Sequence, residues 1–209
     1  KIGAPLTAIE IDEQCVEILK KKFEKNPLFK IENIDFLKFD LDLWLKNHNT
    51  PWITGNLPYN VSTGIISSIL PKLHKTLGFM GMVQLEVAER LCAKPGSSAY
   101  GSLSVYLSSF ANAKILRKIG PEHFTPKPNV DSATVLITPK ENPLNAPKEF
   151  FDFVRQSFAQ KRKRLANSLS KNYSKAEIFS ALESLSLSEN TRAEELSPEI
   201  FFKLFSILK

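Results

Sequence analysis

The sequence predicts an α/β fold, with a mostly parallel sheet and crossover helices, followed by a small all-α C-terminal domain. Three observations predict it. Short apolar runs alternate with helical patterns in the first half, two later strands are joined by a short Pro-containing link, and everything after a Pro- and Asn-rich stretch is helical. We therefore place the α/β domain at residues 1–140 and the helical domain at residues 147–209, with a linker between them.

The first four strands are predicted from apolar or alternating runs that lie between turn residues, at 6–11, 29–34, 52–56 and 78–85. A helix over 13–25 is predicted from an apolar face that begins at Cys15 and Val16, with Asp12 as its N-cap. A second helix is predicted over 62–73. Strands that alternate with helices form a parallel sheet with right-handed crossovers, and ligands bind such sheets at the carboxyl ends of the strands.

The later strands are predicted at 113–119 and 132–138. The link between them contains Phe124-Thr125-Pro126-Lys127-Pro128 and is too short for a packed crossover helix, so the two strands should pair antiparallel at the edge of the sheet.

The C-terminal domain is predicted to consist of helices only. One apolar face joins Phe151, Val154, Phe158, Leu165 and Leu169, which predicts a continuous helix through the basic run between them. Ser174 with Glu177 fits a capping box, and Ser197 before Pro198 fits an N-cap followed by the first helical residue.

Composition excludes several classes of protein. Of the 209 residues 43% are hydrophobic, which is enough for a packed core, and no apolar run approaches the ~18 residues of a membrane span. Cys15 and Cys92 are far apart and form no metal or redox motif, so we expect a reduced, cytoplasmic setting and no metal site. A net charge of +6 permits a polyanionic partner without requiring one.

The tetrapeptide Asn56-Leu57-Pro58-Tyr59 follows the third predicted strand and fits chemistry on an aromatic amine. Such an amine is a poor nucleophile, and an enzyme activates it by accepting hydrogen bonds from both of its hydrogens. The Asn56 side-chain oxygen and the Leu57 carbonyl are suitable acceptors, and Pro58 stiffens the turn that holds them. Tyr59 offers a ring on which a base stacks, an interaction worth ~1–3 kcal/mol. The alternative is a plain turn with Asn as a cap and Tyr in the core.

Two acidic residues lie at the ends of the first two predicted strands. Glu10 at the end of its strand is suited to gripping a ribose hydroxyl pair, and Asp35 is suited to accepting from an adenine amine of a nucleoside cofactor. Glu10 as a solvated strand-end acid and Asp35 as a helix cap are the alternatives.

Two further features point to RNA. Phe124 could cover the second face of a flipped base, which would offset the cost of flipping, or simply pack in its hairpin. The densest positive run consists of Lys161, Arg162, Lys163 and Arg164, which we interpret as a phosphate-binding surface, a solvated helix face being the alternative.

Taken in order, these motifs resemble those of the ribosomal RNA adenine dimethyltransferases. The resemblance rests on Ala8-Ile9-Glu10-Ile11-Asp12, Asn33-Ile34-Asp35, and the run from Gly55 to Thr63. It continues in segments that cover nearly the whole chain: 99–105, 124–132, 160–169 and 192–194.

The resemblance implies a Rossmann-like methyltransferase sheet and S-adenosyl-L-methionine as methyl donor. The substrate would be two adjacent adenosines in a loop near the 3′ end of small-subunit ribosomal RNA, each methylated twice on N6, with a role in assembly of the immature small subunit. Glu10 would hold the cofactor ribose, Asp35 its adenine amine, and Ile11 and Phe36 would flank that adenine. Asn56, beside the cofactor, and Leu57 would accept from the target amine, while Tyr59 and Phe124 would stack on it. We expect a monomer and no membrane partner.

A glycine-rich cofactor loop should precede Glu10 by roughly 20 residues in this family. The chain begins at Lys1, only a short distance before Glu10, and Gly3-Ala4-Pro5 is no substitute. We therefore expect an N-terminally truncated sheet that lacks its first strand and the glycine loop, and weak or no cofactor binding by this piece.

Three other functions remain open at this point. The nearest is a large-subunit ribosomal RNA adenine N6-methyltransferase of the Erm type, which shares the Asn56–Tyr59 chemistry, although the run 160–169 favours the small-subunit enzymes. A glutamine methyltransferase has a related turn but carries proline where this chain has Leu57. A non-catalytic ribosome-assembly factor that kept the fold is the third.

Overall fold

The computed structural model describes residues 3–160 and 163–209, and within them the strands lie in two sheets. The strands are β1 (Leu6–Glu10), β2 (Phe29–Asn33), β3 (Trp52–Asn56), β4 (Gly78–Gln84), β5 (Ala111–Ile119) and β6 (Ser132–Pro139). The α-helices are α1 (Glu13–Phe23), α2 (Leu41–Lys46), α3 (Ser62–Ile69), α4 (Leu85–Cys92), α5 (Ser102–Phe110), α6 (Lys148–Ser157), α7 (Leu165–Leu169), α8 (Lys175–Ser184) and α9 (Pro198–Leu208). Short 3-10 helices cover Phe36–Lys38, Leu70–Lys75, Pro121–His123 and Ala193–Glu195.

The described chain forms two compact units, residues 3–49 and residues 50–209, and each is described by itself. In the first unit β1 and β2 pair in parallel, with Glu10 opposite Asn33 at their carboxyl ends. The predicted N-cap of α1 is confirmed, because an Asp12 carboxylate oxygen accepts from the backbone N–H of Cys15 at 3.0 Å. Val16 of α1 is buried, as are Leu41 and Leu45 of α2.

The second unit contains a four-stranded sheet in the order β3-β4-β6-β5. β3 pairs with β4 in parallel, and β6 pairs antiparallel with both β4 and β5, which confirms the predicted antiparallel hairpin. Residues that alternate along these strands point to opposite faces. Phe79, Val83 and Val135 belong to a buried face, whereas the row Asn56, Met82 and Thr134 lies on the other face.

The C-terminal helices share one hydrophobic core with residues that precede the sheet's last hairpin. Tyr100 and Val105 are buried in the same cluster as Phe150, Leu169 and Phe201. The Tyr100 hydroxyl donates to the Leu196 carbonyl at 2.8 Å, so this ring joins the loop before α5 to the helical region.

The segment predicted as a linker is packed against α5. The Lys140 ammonium donates to the Ser108 carbonyl at 2.5 Å, and the Leu144 N–H donates to the Ser109 carbonyl at 2.7 Å. These bonds satisfy carbonyls at the C-terminus of α5, where cations are favoured. The division into domains at residues 140–147 stays a prediction.

Two predicted helices differ from the structure. The helix predicted over 62–73 ends as α-helix at Ile69 and continues as the 3-10 helix Leu70–Lys75, since Pro71 has no N–H to donate to the preceding turn. The continuous helix predicted from Phe151 to Leu169 is wrong.

The segment from Phe151 to Leu169 forms two helices, α6 and α7, and the connection between them contains Gln160, Lys163 and Arg164. α6 ends where the Phe158 N–H donates to the Gln156 and Val154 carbonyls. A helix that continued through the following run of Lys and Arg residues would place like charges three or four residues apart, which is unfavourable. Lys161 and Arg162 lie outside the described residues.

The helix caps predicted in the C-terminal region are confirmed. The Glu177 N–H donates to the Ser174 hydroxyl at 3.2 Å and the Ser174 N–H donates to the Glu177 carboxylate at 2.8 Å. The Ile200 N–H donates to the Ser197 hydroxyl at 3.3 Å, with Pro198 as the first helical residue of α9. Across residues 3–160 and 163–209, no helix combines the length and the apolar character that crossing a bilayer requires.

Candidate active site

Asn56 is the last residue of β3 and its side chain is exposed at the carboxyl end of the strand. The chain then turns away from the sheet. The Leu57 N–H donates to the Met82 carbonyl of β4 at 3.1 Å, and the Val61 N–H donates to the Pro58 carbonyl at 3.2 Å just before α3 begins. Both bonds hold the turn in a fixed relation to the sheet.

The two acceptors predicted from the sequence are open to a ligand. No hydrogen bond within the described part of the chain is made to the Asn56 side-chain oxygen or to the Leu57 carbonyl. Each can therefore accept from an amine without losing a protein partner, which is the arrangement that amine activation needs.

Tyr59 is half-buried and is held at both ends by buried serines. Its hydroxyl lies 2.7 Å from the Ser132 hydroxyl, and its backbone carbonyl accepts from the Ser62 hydroxyl at 3.1 Å. Ser62 and Ser132 have no exposed surface. Neither serine has a role that the sequence predicts. Ser62 sits where a helix N-terminus was predicted, but the partner of Ser132 is distant in sequence and carries no local signal.

Phe124 lies directly after the 3-10 helix Pro121–His123, and its N–H donates to the Pro121 carbonyl at 3.2 Å. Its ring is half-buried. The loop that carries it, residues 120–131, is closed by the pairing of Ile119 with Ser132. Among the described residues Tyr59 and Phe124 make no direct ring contact with each other, and their role on two faces of one base stays a prediction.

In the first unit, Glu10 closes β1 and is tied to the neighbouring strand. The Asp12 N–H donates to one Glu10 carboxylate oxygen at 2.9 Å. The Asn33 side-chain amide donates to the Glu10 and Ile11 carbonyls, at 3.0 and 3.2 Å. Asn33 therefore fixes the end of β1, a role that the sequence analysis missed because strand pairing was needed to bring the two residues together.

Asp35 caps the 3-10 helix Phe36–Lys38, which confirms the alternative of a helix cap. One of its carboxylate oxygens accepts from the Leu37 N–H at 2.9 Å. A carboxylate has acceptor sites beyond this one bond, so capping leaves Asp35 able to bind an amine.

Nearby in sequence, Ile11 is 67% exposed and the Phe36 ring is half-buried, as expected of residues that flank a planar ligand. The Glu10 carboxylate at the end of β1 and the Asp35 carboxylate just after β2, each followed by an apolar side chain, fit the ribose and adenine of a nucleoside cofactor. This donor set supports S-adenosyl-L-methionine and belongs to the first unit, whereas Asn56, Leu57, Pro58, Tyr59 and Phe124 belong to the second.

Basic side chains lie at two places in the second unit. Lys163 and Arg164 are exposed in the connection between α6 and α7. Lys114, Arg117 and Lys118 are exposed on the edge strand β5, and Lys118 pairs with Glu89 at 3.2 Å. Exposed Lys and Arg side chains such as these suit phosphate contacts, which position an RNA without reading its sequence.

The two thiols have no role in this site. The negative charge of Asp12 raises the pKa of the Cys15 thiol, and burial raises the pKa of the Cys92 thiol, so neither is activated as a thiolate. Over residues 3–160 and 163–209, no group of three or more His, Cys, Asp or Glu side chains is arranged to hold a metal ion.

Comparisons with known proteins agree with these features. The family model described as "Ribosomal RNA adenine dimethylase" matches residues 2–209. A relative from Clostridium botulinum named "Ribosomal RNA small subunit methyltransferase A" is 37% identical over 201 residues, which are 94% of this chain and 73% of that protein. A relative of the same name from Hydrogenovibrio crunogenus is 38% identical over 208 residues, 97% of this chain and 77% of that protein.

Solved structures show the same fold. A dimethyladenosine transferase from Plasmodium falciparum superposes with a TM-score of 0.78 at 24% identity, covering 96% of this chain and 80% of that one. The 23S rRNA methyltransferase ErmE superposes with a TM-score of 0.68 at 22% identity, covering 98% and 82%. The methyltransferase fold expected from the sequence is thus confirmed, and the match along residues 2–209 shows that the chain belongs to the ribosomal RNA adenine dimethylase family.

Proposed function

We propose that this protein transfers methyl groups from S-adenosyl-L-methionine to N6 of two adjacent adenosines near the 3′ end of small-subunit ribosomal RNA, methylating each twice. The single observation that carries the proposal is the turn after β3, where the Asn56 side chain and the Leu57 carbonyl are open acceptors at the carboxyl end of a strand. Relatives named for methylation of the small subunit support the choice of RNA.

The acceptors raise the reactivity of the amine. Each would take a hydrogen bond from one N6 hydrogen of the target adenine, which draws the lone pair out of the ring and towards the methyl donor. Positive charge grows on N6 during transfer, so bonds to these oxygens strengthen in the transition state. Pro58 and the bond from Leu57 to Met82 keep the oxygens in place before the substrate arrives.

The methyl donor fits the residues at the ends of β1 and β2. Glu10 would hold the ribose hydroxyls and Asp35 the adenine amine, with Ile11 and Phe36 against the adenine faces and Asn56 beside the donor group. When bound, S-adenosyl-L-methionine would supply an electrophilic methyl group, and Asn56 and Leu57 would hold the N6 amine so that its lone pair faces that group.

The remaining residues would hold the RNA. Tyr59 and Phe124 stack on the target base, while Lys161, Arg162, Lys163 and Arg164 contact phosphates. Target adenosines in an unpaired loop cost less to flip than paired ones. We propose that the protein works as a monomer in the cytoplasm on the immature small ribosomal subunit and contributes to its assembly.

The mass of the nucleosides in reacted RNA tests this proposal. After incubation of the full-length enzyme with S-adenosyl-L-methionine and immature small subunits, we expect N6,N6-dimethyladenosine, and its rate of formation should be about 10²- to 10³-fold lower with the Asn56→Ala variant. Dimethyladenosine in naked large-subunit RNA instead would identify an Erm-type enzyme. Binding to small subunits without any methylated adenosine would identify an assembly factor, and either outcome contradicts the proposal.

A further inference from the structure

We propose that Ser132 is a positioning residue for the reaction, and that it acts through the Tyr59 hydroxyl to fix the ring on which the target adenine stacks. The inference rests on the proposed function and adds a residue to it. Ser132 opens β6, and its hydroxyl oxygen lies 2.7 Å from that of Tyr59. The two residues come together only in the folded chain.

The position of Ser132 is fixed by its neighbours in the sheet. It pairs with Gln84 of β4 on one side and with Ile119 of β5 on the other, so its backbone lies between two bonded strands. Pairing on both sides restrains this backbone more than a loop would, so the position of the Ser132 hydroxyl is well fixed. Its burial is complete, which removes competition from water for the bond to Tyr59.

Ser132 shares a face of the sheet with the candidate catalytic residue. Asn56 lies opposite Met82, and Met82 lies opposite Thr134, two residues along β6 from Ser132. Residues that are two apart on a strand point to the same face. The bond therefore draws the Tyr59 hydroxyl to the face of the sheet from which the Asn56 side chain projects.

The kind of partner distinguishes Ser132 from the other buried serines whose bonds are described. The hydroxyls of Ser62, Ser104, Ser109 and Ser157 donate to backbone carbonyls, which is common for serines in or beside helices. Ser132 bonds a side chain instead. A bond between two side chains sets the position of one ring and contributes little to secondary structure.

Ser132 also ends the loop that carries Phe124. Residues 120–131 leave the sheet after Ile119 and return at Ser132, and the Leu85 N–H donates to the Asp131 carbonyl at 2.9 Å. The same residue therefore anchors the Tyr59 ring and one end of the Phe124 loop. Loss of the Ser132 hydroxyl would free the ring to tilt while the loop stays paired.

A double-mutant cycle with Ser132→Ala and Tyr59→Phe tests the inference. A net hydrogen bond of ordinary strength predicts that Ser132→Ala lowers kcat about two- to tenfold while KM for RNA changes little. Tyr59→Phe keeps the ring and removes only its hydroxyl, so it should lower kcat by a similar factor. The double variant should be no slower than the slower single variant, because both changes remove one bond.

Ser157→Ala is the matched control, since this serine is equally buried and bonds the Phe153 carbonyl within α6. We expect it to lower the melting temperature without changing kcat. RNA with 2-aminopurine at the target position gives a second readout that needs no methyl transfer. Its emission on binding should differ between the wild type and Ser132→Ala.

The outcomes separate the inference from the proposed function. A wild type that neither methylates adenosine nor alters 2-aminopurine emission contradicts the proposed function, and the inference falls with it. An active wild type with Ser132→Ala at full kcat overturns the inference alone. Independent effects, in which Ser132→Ala slows the Tyr59→Phe variant by the same factor as the wild type, also overturn it.

Discussion

At the scale of single residues, substitution of Asn56 can test the proposed catalytic step apart from RNA affinity. The Asn56 side chain is exposed at the end of β3 and makes no hydrogen bond within the described chain, so its removal breaks no such bond there. Any effect of its loss on turnover therefore reports on contacts to a substrate. The neighbouring Leu57 offers its acceptor through the backbone, where substitution of the side chain leaves the carbonyl in place.

We expect Asn56→Ala to lower kcat about 10²- to 10³-fold, the range found when one preorganised hydrogen-bonding group is lost from a reaction centre. The Kd for RNA should change little, because phosphate contacts dominate affinity. Single-turnover rates and filter-binding titrations measure the two quantities. Asn112→Ala, which removes an exposed asparagine from β5, is the control and should behave as the wild type. Equal losses in kcat and affinity would contradict the role of Asn56 as an amine acceptor.

The sequence predicts some residue positions and misses others for a physical reason. Asn56 and Glu10 were placed correctly at strand ends because an apolar run marks each strand and the next polar residue marks its end. Ser132 and Asn33 were missed because their partners lie on other strands. Such bonds depend on register, which a single sequence does not display.

At the scale of secondary-structure elements, the loop before α5 joins the sheet region to the C-terminal helices. Tyr100 is fully buried there and bonds the Leu196 carbonyl. Burial raises the pKa of Tyr100, with a smaller contribution from the charge of Glu199. The folded protein therefore favours the neutral phenol more strongly than the unfolded chain does.

We expect Tyr100→Phe to lower the free energy of unfolding by about 1–3 kcal/mol at pH 7, since it leaves the buried Leu196 carbonyl without its donor. A raised pKa contributes stability that is complete below the unfolded value of about 10 and is lost as pH rises above it. Urea unfolding at several pH values up to about 11 should therefore show a smaller alkaline loss for Tyr100→Phe. An unchanged slope above about pH 10 would contradict this account.

The starts of helices could be predicted where the sequence has an N-cap residue. Asp12, Ser174 and Ser197 mark helix starts that the structure confirms. Helices α4 and α5 are not predicted from the sequence, because α4 begins directly after β4 and α5 runs directly into β5, with no Gly or Pro at either junction. Where a strand and a helix join without a break, the hydrophobic pattern alone does not show where one ends and the other begins.

At the scale of the whole molecule, the net charge of +6 is weak by itself, and its distribution carries more information. Lys163 and Arg164 are exposed between α6 and α7, and the Lys163 N–H donates to the Gln160 carbonyl at 2.9 Å. A helix would point neighbouring side chains in different directions around its axis. Outside a helix, the Lys163 and Arg164 side chains are free of that constraint and can both reach one phosphate backbone.

We expect the double variant Lys163→Ala, Arg164→Ala to weaken RNA binding and to reduce the salt dependence of log Kd by about 0.7–0.9 for each phosphate that is no longer neutralised. Titrations at several salt concentrations measure the slope. Lys148→Ala with Lys203→Ala removes the same charge from exposed positions at the start of α6 and on α9, and should leave the slope near that of the wild type. Equal slopes for the two double variants would show that only net charge matters.

The burial of Tyr100 and Val105 among the C-terminal helices has a consequence for exchanging parts between family members. A chimera joined at residues 140–147 would take Tyr100 and Val105 from one family member and the C-terminal helices from another. The two parts of this hydrophobic core would then come from different proteins and would not match. A junction before Tyr100 would keep that core intact, but the transplanted piece would then bring β5, the Phe124 loop and Ser132 with it. A donor's C-terminal helices would therefore arrive together with the donor's Phe124 loop and Ser132, which we propose to lie at the reaction centre.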